Sequence, residues 1–389
     1  MFKYDSRTTV CFRNYCRLFI CSILTLLLLI PFLSPAALAE ENSAFVKNHD
    51  DSSTLRDNET APGGLLTGGT GGENEAPLLI SSPAFPLDSG DVSEHKLRVN
   101  VEIKNSGEEE MRDIRLKMPL LSANDSPYQL LQKEAFSLEP TEVSRNETGT
   151  RSALFEVSSL LPGEGETITV KYYFKTSPLT FDFNEQRDEI GQAVKEEDYF
   201  NSYLEPSPKI ESADPLIVEK AAELTEGLND DLEKAKRIYG FVLEHMSYDL
   251  ESEYRNKGAL TALTKGSGVC EDFASLFTAL SRASGIPARV VNGYTDPAGN
   301  GEIWDLDEGE VISLRQYRHS WAEFYLKGWG WTPADPTMDL YARNGNYRYF
   351  GSLSSTSHLA QNYGDANLTA RYRGGNPSVS WSEELIGDK

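Results

Sequence analysis

One cysteine, one histidine and one aspartate in the second half of the chain are of the types that together cut an acyl bond. Cys270 follows the glycine-rich turn Gly266-Ser267-Gly268-Val269. After it, Phe273, Leu276, Phe277 and Leu280 recur at helical spacing until Gly285 and Pro287 end the pattern. Cys270 therefore opens a helix, where unpaired backbone N–H groups and the helix dipole favour an anion. At such a position a nearby cation lowers a thiol pKa from about 8.5 toward roughly 3.5–7.5. The loop glycines leave room for a substrate backbone to approach closely. His319 heads the alternating run His319–Leu326, Lys327-Gly328 turns it, Trp329–Thr332 returns, and Pro333-Ala334-Asp335-Pro336-Thr337 closes it. A hairpin of this shape brings Asp335 back beside His319. Glu323 lies on the same strand face but about 13 Å away at roughly 3.3 Å per residue, which makes it the poorer partner. A thiolate attacks a carbonyl carbon, an imidazole takes the thiol proton and returns it to the leaving amine, and a carboxylate fixes the imidazole tautomer.

These residues also carry a resemblance. Gly268-Val269-Cys270-Glu271-Asp272-Phe273-Ala274 through Gly285-Ile286-Pro287-Ala288-Arg289-Val290-Val291-Asn292-Gly293-Tyr294 resembles the signature of the transglutaminase-like superfamily, bacterial exported type. His319-Ser320-Trp321-Ala322-Glu323 and Gly330-Trp331-Thr332-Pro333-Ala334-Asp335-Pro336-Thr337 are similar to its second and third motifs. Their spacing agrees too, with 49 residues from Cys270 to His319 and 16 more to Asp335. The resemblance covers about residues 203–340. It implies a papain-related α+β fold, with the nucleophile's helix packed on an antiparallel sheet. It maps Cys270 as nucleophile, His319 as base and Asp335 as orienter; no cofactor is assigned, with calcium at the Asp296–Glu310 loop as the lesser alternative.

A second oxyanion donor beside the Cys270 N–H is less marked. Papain-like enzymes place a glutamine shortly before the cysteine, and the segment around Thr264 has none. Tyr248, in Met246-Ser247-Tyr248-Asp249, lies where related enzymes carry a tryptophan; it either donates its phenol or packs under the hairpin. Trp321, Trp329 and Trp331 are candidates for a substrate groove, with Trp321 also reading as core. His245 and His358 have no partner pattern and read as helix-end or surface residues. The stretch Asp296–Glu310 is dense in carboxylates, but the EF-hand spacing fails for calcium, since the third position is Ala298 and the twelfth Asp307. No metal site is assigned, and the stretch reads as a solvated acidic loop beside the cleft that would favour amine-bearing substrates.

Several elements must position these groups. Residues 1–39 hold Lys3, Arg7, Arg13 and Arg17, then the apolar run Leu18–Leu33, then Ala37-Leu38-Ala39, which is the pattern of a secretory signal peptide. An uncleaved anchor is the alternative, although the run is short of the roughly 20 residues of a membrane span. Residues 40–80, with six glycines between Gly63 and Gly72, read as a flexible tether. Residues 81–183 alternate at period two, as in Leu97–Ile103 and Ile114–Met118, which indicates an antiparallel β-sandwich acting as a spacer. Pro206, Pro208 and Pro215 mark a boundary. Asp214-Pro215 opens one helix, and a second from about Asp231 buries Ala235, Ile238, Tyr239 and Val242. Residues 341–389 read as a β extension of the catalytic sheet. The fold class is α+β: an N-terminal β-sandwich, then the catalytic domain.

Composition closes off other functions. The 389 residues carry a net charge of −23, which argues against nucleic acid and an anionic membrane surface. Cleavage after Ala39 removes four positive charges and one negative charge, taking the net charge to −26. It also removes Cys11, Cys16 and Cys21, so the exported chain keeps only Cys270 and excludes an internal disulfide or a thiolate zinc cluster. The chain reads as a secreted or cell-surface cysteine acyltransferase or cysteine protease without a membrane span. Its substrate is a protein or peptide, cell-wall peptide included, and the outcome is crosslinking, deamidation or proteolysis. A catalytically silent binding or scaffold module at the cell surface is the alternative.

Overall fold

The computed structural model describes residues 92–123, 126–146, 148–183, 200–296, 306–340, 346–353, 358–364 and 366–387. The signal peptide and tether expected over residues 1–80 lie outside them. Among the described residues no helix is long and apolar enough to cross a membrane.

The alternating segments form a sandwich. Its strands are β1 (Ser93–Asn105), β2 (Met111–Pro119), β3 (Gln129–Phe136), β4 (Glu142–Arg145), β5 (Arg151–Leu160) and β6 (Gly165–Thr176), followed by the short β7 (Leu179–Thr180). One sheet holds β1, β6 and β3, and the other holds β2, β5 and β4. Period-two alternation places Leu97, Val99, Val101 and Ile103 on one face of β1. They pack with Ile168 and Val170 from β6 and with Ile114, Leu116 and Phe155 of the opposite sheet, all buried. Each such side chain contributes about 1.5–3 kcal/mol on leaving water.

The α/β part begins with α1 (Pro215–Thr225) and α2 (Asp231–His245), capped by the Asp214 and Asp230 carboxylates on the Leu216 and Glu233 N–H groups. Then come β8 (Ser247–Tyr248), α3 (Ala259–Lys265), β9 (Ser267–Gly268) and α4 (Cys270–Ala283). Residues 272–282 of α4 are buried without a break. This helix is central: α1, α2 and α3 surround it on one side and the sheet closes the other. The remaining strands are β10 (Ala288–Thr295), β11 (Val311–Ser313), β12 (Arg318–Leu326), β13 (Gly330–Ala334), β14 (Ser352–Leu353), β15 (His358–Tyr363), β16 (Thr369–Arg373) and β17 (Pro377–Ile386). The catalytic sheet has the order β13-β12-β10-β15, antiparallel throughout.

The C-terminal residues differ from the expected extension of that sheet. Only β15 joins it, whereas β16 pairs with β2 and β17 pairs with β1 along its length, completing both sandwich sheets. Strand β11, from the segment between the cysteine and histidine motifs, also pairs with β17. Bare edges on β1 and β2 would leave ladders of N–H and C=O groups open, and the returning strands satisfy them. The sandwich is therefore no detached spacer. Its Gln129 side chain bonds both the N–H and the C=O of Ala360 in β15, and its Tyr128 hydroxyl donates to Glu323 in β12.

Candidate active site

Cys270 is the first residue of α4, with Val269 as its cap. Valine offers no side-chain oxygen to the first-turn N–H groups, and the cap is tied instead through its own N–H to Asp272. Its Oδ2 accepts the N–H of Val269 and of Asn256 at 2.9 Å each, and its Oδ1 accepts that of Lys257 at 3.2 Å. The carboxylate at the third helical position reaching back to the cap is half of a capping box, a signal present in the sequence. Gly268 is required because a Cβ there would strike the Asp272 carboxylate. That glycine thus serves the capping contact. Asp272→Ala strands three backbone donors in and around the cysteine loop, and a loss of about 2–3 kcal/mol is expected. The shift in the urea unfolding midpoint measures it, and a change under about 0.5 kcal/mol contradicts it.

The segment after α2 is tied to the same loop. Tyr248 pairs with Gly268 across the parallel β8–β9 bridge, and the Ser247 and Asp249 N–H groups donate to Gly266 and Gly268. Tyr248 thereby comes into the electrostatic neighbourhood of Cys270 and Asp335 while 44% exposed. Partial burial, then the charges of Cys270 and Asp335, push its phenol up to about 12, so it remains a proton donor at neutral pH.

The β12–β13 hairpin pairs Ala322 with Ala334, and Asp335 follows directly. The Asp335 N–H donates to the Tyr349 carbonyl, and the Tyr239 hydroxyl donates to the Asp335 carbonyl and to Asp339. Asp335 Oδ1 accepts from the Thr337 hydroxyl at 2.6 Å and from the N–H groups of Thr337 and Met338. Its Oδ2 meets His319 Nε2 at 2.7 Å. His319 also feels Cys270 electrostatically, and with Nε2 given to Asp335, Nδ1 is the ring atom left for the thiol. The structure thus brings Cys270, His319 and Asp335 into one row, in which the His319–Asp335 hydrogen bond is formed.

His358 joins that row, contrary to the surface role read from the sequence. It is 3% exposed and its Nε2 lies 2.9 Å from Asp335 Oδ2, the oxygen that holds His319. No spacing rule links a histidine on β15 to an aspartate beyond β13; only the neighbouring positions of β15 and β12 on either side of β10 do so. Burial works against charge on Asp335, but the His319 charge and the two histidine hydrogen bonds outweigh it and hold the carboxyl well below its usual range. Burial likewise opposes charge on His319, yet Asp335 and Cys270 push it up to about 10. For His358 burial dominates over the pull of Asp335 and lowers its pKa, keeping it a neutral donor.

Trp321 and Trp331 do not line a groove, being 0% and 2% exposed. Trp321 stacks on His319 at 6.1 Å and meets His358 edge-on at 4.9 Å. Trp331 packs against Tyr203 and the Arg289 guanidinium. Their place on the hairpin between α4 and the sandwich turns both inward. Trp329 is partly buried against Phe181 and Phe183. Within the acidic stretch, residues 297–305 lie outside the described ones. Asp296 is buried at 1% exposure, unlike a solvated loop residue. His319, Asp335 and His358 offer three metal-ligating atoms within 4.8 Å of one another. Their N–O separations of 2.7 and 2.9 Å are hydrogen-bond lengths. Ligands around a tetrahedral ion at about 2.0–2.1 Å stand about 3.4 Å apart, so this cluster is spaced for protons.

Residues 218–336 match the model of the transglutaminase-like superfamily. The chain is 32% identical over 143 residues to an uncharacterized protein of Haemophilus influenzae, which is 34% of this chain and 38% of that protein. It is 35% identical over 79 residues to the protein-glutamine gamma-glutamyltransferase of Pseudomonas aeruginosa, which is 19% of this chain and 10% of that one. The chain thus spans less than two fifths of either curated relative's length. Among solved structures, a cysteine-protease candidate from Cytophaga hutchinsonii is similar with a TM-score of 0.43 and 16% identity, covering 76% of this chain and 99% of that one.

Proposed function

We propose, on the match of residues 218–336 to the transglutaminase-like superfamily, that the chain is an exported cysteine-dependent acyltransferase or hydrolase acting on protein or peptide amides. The observation that carries this reading is the hydrogen bond between Asp335 and His319, with His319 in the electrostatic neighbourhood of Cys270 at the first residue of α4. His319 Nδ1 takes the Cys270 proton, and the sulfur attacks the amide carbonyl carbon. The Cys270 N–H, which as the first in the helix has no intrahelical acceptor, and the Tyr248 phenol then hold the oxyanion. As the C–N bond breaks, His319 returns its proton to the leaving amine or ammonia, and a thioester remains on Cys270. Water or a primary amine then attacks that thioester, gives its proton to His319, and the thiol is restored. Amine gives a crosslink; water gives deamidation or proteolysis. The basic, apolar and A-x-A segments of residues 1–39 support export.

Iodoacetamide tests the site without a substrate. The raised His319 keeps its proton through neutral pH and loses it only as pH climbs toward about 10. Alkylation of Cys270, followed against pH, is therefore expected to be at least about tenfold faster at neutral pH in the parent than in His319→Ala. Coincident pH curves for the two proteins overturn the catalytic reading in favour of a silent binding module. Mass spectrometry of glutaminyl peptides with and without an added primary amine then separates transfer from hydrolysis.

A further inference from the structure

We propose that His358 is a positioning residue of this site, donating its Nε2 proton to the Asp335 oxygen that also holds His319 and so dividing that carboxylate's charge between two imidazoles. The proposal rests on the acyl-transfer reading for its purpose, but its geometry stands independently.

Four observations carry it. Asp335 Oδ2 is shared, at 2.7 Å from His319 and 2.9 Å from His358. Asp335 Oδ1 is already fixed by Thr337 and Met338, so a further donor on Oδ2 is not needed to aim the carboxylate. Trp321 packs beside both rings, near-parallel to His319 with ring centres 6.1 Å apart and near-perpendicular to His358 at 4.9 Å, which holds the two imidazoles relative to one another. Strand β15 is itself held in place. Gln129 bonds both sides of Ala360, Tyr363 meets Ser122 at 2.7 Å, and Gly293 lets β15 approach where any Cβ would strike the Leu359 carbonyl.

The consequence is chemical. A carboxylate oxygen that accepts two N–H groups presents less charge to each of them. His319 then holds its proton less tightly than it would beside Asp335 alone. That is what a group needs if it must hand the proton to a leaving amine after taking it from a thiol. His358 can serve in this way because burial keeps it neutral, a donor without added charge. Other titratable groups act on this cluster: Cys270, Tyr239, Tyr248, Asp339 and Tyr349, with Asp296 acting on Tyr349. They are the same in parent and variant, so a difference between the two reports His358.

The test compares the full chain with His358→Leu, which removes the donor, and His358→Gln, whose amide N–H falls near the place of Nε2. Iodoacetamide alkylation of Cys270 is followed against pH. Its second rise marks the loss of the His319 proton and the release of an unpaired thiolate. In His358→Leu this rise is expected to move up by about half to one pH unit, a three- to tenfold tighter hold on the proton. In His358→Gln it is expected to stay near the parent's. A rise that stays put or falls in His358→Leu, or moves as far in His358→Gln, overturns the proposal. Proton NMR of the ¹⁵N-histidine-labelled protein at neutral pH gives a second reading that does not depend on the leucine variant folding. The N–H resonances assigned to His319 and to His358 are both expected downfield and exchange-protected in the parent, apart from those of His95 and His245, and that of His319 is expected to persist in His358→Gln; absence of the His358 resonance from the parent overturns it. Neither reading needs turnover, so a silent enzyme would defeat the acyl-transfer reading while leaving this one decidable.

Discussion

Asp335→Asn is expected to lower turnover by about 10³–10⁴-fold, the scale on which a triad fails when its carboxylate becomes an amide. Oδ2 faces two ring N–H groups at 2.7 and 2.9 Å, and Oδ1 faces one hydroxyl and two backbone N–H groups. All five neighbours donate, and an amide has only one oxygen to offer them. If that oxygen stays on the Thr337 side, the NH₂ points at both histidines. His319 then relieves the clash by changing tautomer, accepting at Nε2 and carrying its proton on Nδ1. A protonated, neutral Nδ1 cannot take the thiol proton, so the first step is lost although the residue differs by one atom. Turnover of glutaminyl peptides followed by mass spectrometry measures the loss, and circular dichroism checks that the fold is kept. A folded Asp335→Asn protein within tenfold of the parent would remove Asp335 from the mechanism.

Glu323→Ala is expected to cost about 3–5 kcal/mol of stability, the range for removing one partner of a buried ion pair. Total stabilities run to about 5–15 kcal/mol, so this is a large share. Glu323 Oε2 accepts from Arg289 Nε at 2.8 Å and from its terminal nitrogen at 2.6 Å, and Oε1 accepts from Tyr128 at 2.8 Å. The guanidinium lies between the rings of Trp331 and Tyr363, 4.1 and 3.7 Å from their centroids. Arg289 and Glu323 are both almost completely buried. Without Glu323 that charge keeps its aromatic walls and loses the carboxylate that faces it. The Tyr128 hydroxyl, which latches the sandwich onto β12, loses its acceptor as well. By contrast, the helix-surface pairs Lys220–Glu223, Lys234–Asp231 and Lys236–Glu233 are solvent-exposed and contribute a few tenths of a kcal/mol each. Urea unfolding followed by tryptophan fluorescence reads the difference. Arg289→Met combined with Glu323→Leu is expected to recover much of the loss, because no buried charge is then left alone. A loss under about 1 kcal/mol for Glu323→Ala contradicts the account.

Glu323 also shows how far a strand period carries a sequence reading. The distance argument correctly set it apart from His319, since it is paired with Arg289 and Tyr128. Which cation and which phenol it would meet was not written in the spacing, because Tyr128 stands 195 residues away. The same limit applied to Trp321 and Trp331. Period two says which residues share a face of the hairpin, but not whether that face meets solvent or another layer.

The sequence by itself determined the local geometry around the thiol. A turn of glycines, then an apolar stripe at period 3.6, then a glycine–proline stop can only start and end a helix at about Cys270 and Ala283. Alternation about Lys327-Gly328 can only fold β12 back on β13, which brings Asp335 toward His319. These are short-range consequences of backbone sterics and side-chain period, and they need no partner to be legible. Tertiary structure alone decided the rest. It returned β17 to β1 and β11 to β17, gripped β15 through Gln129, and set His358 on the oxygen that His319 already shared. Those contacts join segments that share no period and no turn. They follow from which sheet edges and buried donors remain to be satisfied once the local elements have formed.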